Sequence, residues 1–72
     1  MRAWDTERAL ELARKAYTYV ARVVPPDATL EAIGEADTAV LDAEEGQDLP
    51  AYEEALRELC RTARAEARRW AA

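Results

Sequence analysis

Apolar residues recur along this chain at helical spacing, in three segments set apart by two clusters of helix-breaking residues. In the first segment Leu10, Ala13, Tyr17, Val20 and Val24 step by 3, 4, 3 and 4, and Ala9, Leu12, Ala16, Tyr19 and Val23 form a parallel stripe. At about 100° per residue these positions cover about 180° of the helix surface, opposite Glu7, Glu11, Arg14, Lys15 and Arg22. A face that wide predicts contact with two other helices. Asp5 or Thr6 is placed to cap the start, with Trp4 as a staple against the first turn. Pro25-Pro26 ends the segment, because proline lacks the amide hydrogen and clashes with the preceding turn.

The second segment is expected to begin after Asp27 or Thr29 and to run to Glu44 or Glu45, with Gly46 as its C-terminal stop. Leu30, Ile33, Ala36, Val40 and Leu41 share its apolar face. The third begins near Asp48 to Ala51, where Pro50 is tolerated in a first turn, and carries a seam of Tyr52, Leu56, Leu59, Cys60, Ala63, Ala67 and Trp70. Short connections between consecutive helices favour antiparallel neighbours. The pattern therefore predicts an all-α, single-domain, three-helix up-down-up bundle with helices over about 5–24, 28–45 and 50–70. Its core closes either within the chain or through oligomerisation.

Length tightens this picture. At 72 residues the chain lies near the lower limit for a self-sufficient core. Half of its residues are hydrophobic, but many of those are Ala, which favours helix while burying little area. A core this thin gains from a second copy or a partner, so a protein partner or homo-oligomer is expected.

Charge is sorted along the sequence. Residues 25–50 carry eight acids and no Lys or Arg, and all ten basic residues lie in the flanking segments, for a net charge of −5. On the third helix Arg57, Arg61, Arg64 and Arg68 fall within about 60° of one another and point away from the apolar seam. On the second, Glu31, Glu35 and Asp42 fall within about 40°, almost opposite its apolar face. Both stripes face outward, so an oppositely charged partner or a second copy could join them. Asp37 breaks the pattern: it falls between Ile33 and Val40, near the centre of the apolar face, where a bare carboxylate is costly. It must meet an Arg or a Tyr hydroxyl at the core edge, or that face must open onto another chain.

Candidate chemistry is sparse. There is no His to act as base beside a nucleophile, and the single Cys60 sits on an apolar seam, where a thiol behaves as a small hydrophobe. Zinc sites need several Cys or His ligands, and Asp42-x-x-Glu45 with Glu53-Glu54 does not form the paired acidic motif of helical pyrophosphatases. No enzyme activity, cofactor, metal or small-molecule substrate is expected. One Cys argues against a disulfide scaffold, no apolar run approaches a membrane span and no signal-peptide core is present, so a cytoplasmic location is expected.

Trp4-Asp5, Pro25-Pro26-Asp27-Ala28 and the stretch from Ala39 to Leu56, AVLDAEEGQDLPAYEEAL, resemble small helical modules of plasmid and phage replication proteins, including helix bundles attached to primase-polymerases. The resemblance implies an accessory role in mobile-element replication and carries no functional residues with it. Two functions follow as expectations. The first is a non-enzymatic helical module for protein-protein contact or self-association. The second is a nucleic-acid-binding accessory domain that uses Arg57, Arg61, Arg64 and Arg68.

Overall fold

The computed structural model describes residues 4–25 and 31–71. Three helices follow in order: α1 (Thr6–Val23), α2 (Glu31–Glu45) and α3 (Leu49–Ala71). The start of α2 near Asp27 or Thr29, and Leu30 on its apolar face, lie outside the described residues.

Local chemistry explains the helix ends. Asp5 is the N-cap of α1, with its carboxylate accepting from the Arg8 amide at 3.1 Å. At the other end Val24 turns to extended backbone, as the residue before a proline prefers, while its amide still donates to the Val20 carbonyl at 3.0 Å. Asp48 caps α3 in the same way through the Ala51 amide at 3.1 Å, which leaves Pro50 in the first turn, where no amide is needed.

The stop of α2 differs in detail from the expectation. Asp48 N–H donates to the Ala43 carbonyl (3.1 Å) and Gln47 N–H to the Glu44 carbonyl (3.0 Å), the paired bonds of a Schellman motif. In that motif the left-handed residue is Gln47, with φ 52°, and no described glycine has positive φ. Gly46 sits one position earlier, in right-handed backbone.

α3 is the spine. Trp4 meets Tyr52, Arg8 meets Glu53, Ala16 meets Cys60 and Tyr19 meets Arg64, so α1 runs parallel to α3. The tight turn at Gly46 and Gln47 makes α2 antiparallel to it, giving the up-down-up order. Both flanking helices pack on α3, yet no Cα of α1 comes within 8 Å of a Cα of α2. Trp4, just before the α1 cap, reaches α3 and packs edge-on against Tyr52, with ring centroids 5.2 Å apart and planes at 77°.

The core is short of large side chains, as the composition required. Leu59 and Val40 are the largest fully buried ones, with Leu56, Tyr52, Leu49 and Ile33 around them. Ala9, Ala16 and Ala63 are also buried, and their small size lets the α1 and α3 backbones approach. Several expected anchors stay outside: Leu10 is 61% exposed, Leu41 54% and Trp70 47%. Glu66, absent from the expected seam, is buried at 6% exposure, where its Oε1 accepts from Arg69 Nη1 at 3.1 Å.

Candidate functional site

Each charged stripe is placed by its own helix. Arg57, Arg61, Arg64 and Arg68 are all exposed along α3, and Glu31, Glu35 and Asp42 are all exposed along α2. No ion pair among the described residues joins the two sets.

The Arg stripe is partly occupied from within α3. Arg57 lies 3.1 Å from Glu54 and 3.7 Å from Glu53, and Arg61 lies 2.6 Å from Glu58. These pairs are more than half exposed on the Arg side, so each holds its geometry by at most about 1 kcal/mol. Arg64 behaves differently. Its Nε donates to the Tyr19 hydroxyl at 3.1 Å, its guanidinium carbon sits 5.9 Å from that ring, and the hydrogen bond pushes its pKa further up. Among the described residues no carboxylate lies within 4.0 Å of Arg64 or Arg68.

Asp37 is half-buried, and the Tyr17 hydroxyl donates to its Oδ1. A tyrosine is long enough to cross the gap between α1 and α2, so this bond is a direct tie between the two flanking helices. Burial first, then the bond to Asp37 and the repulsion of its carboxylate, push the Tyr17 phenol well above its ordinary value of 10.0. The carboxylate on the apolar face is thus satisfied inside the chain.

Beside the Arg stripe lies a groove that the helical periodicity alone did not disclose. It has a volume of about 450 Å³ and runs between α1 and α3. Its floor is apolar, made by Leu12 and Ala16 of α1 with Leu56 and Cys60 of α3. Its rim is basic, made by Lys15, Arg57, Arg61 and Arg64, with Glu53 the single acid in the lining. The helical projection put Lys15 on the polar face of α1, and only the docking of α3 brings Arg57, Arg61 and Arg64 beside it.

The Cys60 thiol faces the Ala16 carbonyl at 3.9 Å, and burial pushes its pKa up, partly opposed by Arg64. A thiol whose thiolate form is disfavoured in this way reacts slowly and serves as part of the floor. A second, larger cleft of about 620 Å³ opens between the start of α2 and the end of α3, where Glu31, Glu35, Glu66 and Arg69 surround Trp70. Arg69 is already paired with Glu66 there. Among the described residues no group of three or more His, Cys, Asp or Glu side chains is arranged to hold a metal ion, and no helix is long and apolar enough to cross a membrane.

Comparison with protein-family models, curated proteins and solved structures gives no match to this chain.

Proposed function

We propose that this chain is a non-enzymatic helical interaction module that binds a protein partner through the groove between α1 and α3. One observation carries the reading: an apolar floor of Leu12, Ala16, Leu56 and Cys60 beneath a rim of four cations and one acid. A groove of that kind suits an amphipathic helix with a leucine ridge flanked by acids, because the ridge covers the floor while the acids meet the rim. The rim arginines are free to re-pair, since their bonds to Glu53, Glu54 and Glu58 are surface pairs of small net value.

The setting we propose is an accessory role in a mobile-element replication system, in the cytoplasm. It is supported by the resemblance at Trp4-Asp5 and Ala39 to Leu56.

Cys60 supplies the test, because it lies in the floor. A designed helical peptide with leucines on one face and glutamates beside them should slow the reaction of Cys60 with Ellman's reagent in proportion to its binding. An unchanged rate at saturating peptide would remove the reading.

The alternative is nucleic-acid binding through Arg57, Arg61, Arg64 and Arg68. It is favoured by Arg64 and Arg68, which no described carboxylate meets within 4.0 Å, and opposed by the net charge of −5. Duplex DNA or RNA binding at about 50 mM salt that weakens steeply as salt rises would support it over the groove. Absence of binding there sinks it.

A further inference from the structure

α2 carries three features that work against it as a helix of an isolated chain, and all three share one ridge. Gly34 sits in the helix interior, where glycine costs about 1 kcal/mol relative to alanine, and a Cβ built on it would meet nothing within 4 Å. Among the described residues, nothing uses the missing side chain. Leu41 is 54% exposed. Glu45 ends the helix at the negative pole of its dipole, where an acid is unfavourable and no basic residue offsets it.

Gly34, Thr38, Leu41 and Glu45 stand at spacings of 4, 3 and 4, within about 60° of one another around the helix. The Thr38 hydroxyl already donates to the Gly34 carbonyl at 2.9 Å, so covering it strands no polar group. Glu31, Asp42 and Glu35 flank this ridge on one side. The ridge therefore has a glycine for close backbone approach, a leucine to bury and acids beside it. It is the amphipathic acidic surface that the basic-rimmed groove fits.

We infer that the groove between α1 and α3 of one copy receives the α2 ridge of a second copy. The inference rests on the groove being a helix-binding surface and names its occupant. Leu41 enters over Leu12, Leu56 and Cys60, while Asp42, Glu45 and Glu35 take over from Glu54 and Glu58 as partners of Arg57 and Arg61 and give Arg64 a carboxylate partner. Within one chain this cannot happen, because the acids of α2 and the arginines of α3 face outward on different helices and share no ion pair. Groove and ridge are different patches, so the contact closes as a two-fold pair where each copy's ridge reaches the other's groove and otherwise continues from copy to copy.

Sedimentation of the full chain at low salt, at concentrations up to about 1 mM, reads the association directly. The average mass should climb with concentration and fall back as salt is added, and Cys60 should become slower to react as mass rises. Gly34→Gln gives the sharpest contrast. It should raise the melting temperature, since glutamine is the better helix former, and weaken association at least about tenfold, since the side chain occupies the approach surface. Arg61→Glu/Arg64→Glu and Asp42→Arg/Glu45→Arg should each be monomeric alone and should associate when mixed.

A wild-type chain that keeps the monomer mass throughout overturns the inference. So does Gly34→Gln associating like the wild type. If the wild type stays monomeric while the designed acidic peptide still protects Cys60, only the second-copy occupant fails. If the peptide also leaves Cys60 unprotected, the groove reading fails with it.

Discussion

Gln47 holds the left-handed position that ends α2, and Gly46, one residue earlier, does not need to be glycine. Consider exchanging these roles one residue at a time. Left-handed backbone costs an L-residue about 1–2 kcal/mol, and Gln47→Gly removes that cost. The new glycine brings back about 0.5–1 kcal/mol through the greater freedom of the unfolded chain. The net gain is about 0.5–1 kcal/mol. For a domain of this size 1 kcal/mol moves the melting point by about 4–8 °C, so Gln47→Gly should melt about 2–8 °C higher.

Gly46→Ala addresses the complementary position. A Cβ on Gly46 lies 3.6 Å from the Asp42 carbonyl oxygen and 3.9 Å from that of Ala43, which is ordinary contact. With right-handed backbone already in place, alanine should be neutral or stabilising by about 0.4–1 kcal/mol. Thermal melts followed by circular dichroism at 222 nm, with urea titrations to check that the m-value is unchanged, measure both. Were Gly46 the left-handed residue, the order would invert: Gly46→Ala would cost about 1 kcal/mol or more, and Gln47→Gly would gain nothing. That result would refute the assignment.

Leu59→Ala deletes a core side chain with 0% exposure and should cost about 3 kcal/mol, read as a lowered urea midpoint. Tyr17→Phe removes the donor to Asp37, so α1 and α2 lose their tie, at about 1 kcal/mol. The same variant should change the alkaline limb. Tyr17 titrates above its unfolded value of 10.0 in the folded chain, so stability is fully present below pH 10 and falls as pH rises beyond it, the unfolded chain releasing its proton first. Tyr17→Phe should flatten that decline in urea midpoints measured from pH 9 to 11.5, by a small amount because Tyr17 is 39% exposed; an unchanged slope would contradict the Tyr17–Asp37 bond. Cys60, its thiol pushed up by burial, should react with Ellman's reagent several-fold more slowly at pH 8 than in the urea-unfolded chain; equal rates would place it outside the floor.

Features that depend only on neighbours in the chain are legible in the sequence. The 3, 4, 3, 4 spacing around Leu10 to Val24 commits that segment to helix, and Pro25 ends it. Asp5 and Asp48 cap because a short acid just before a helical run meets free amides, and the outward Arg and Glu stripes follow from the same angular arithmetic. The same arithmetic sets Asp37 on the apolar face as a carboxylate in need of a partner.

Periodicity assigns an angle to each residue but does not say which neighbour covers that angle. It is packing between helices that makes α3 the spine and sets α1 and α2 apart, joined by Tyr17 and Asp37. That separation leaves Leu10 and Leu41 exposed on helix faces that read as core in projection. The same docking buries Glu66, sends Trp4 across to Tyr52 and brings Leu12 and Lys15 beside Leu56 and Arg61 to form the groove. Each depends on two helices meeting at one distance and one register. Those quantities are set by side-chain volumes across the interface, where Ala9, Ala16 and Ala63 allow close approach, rather than by spacing along one strand of sequence.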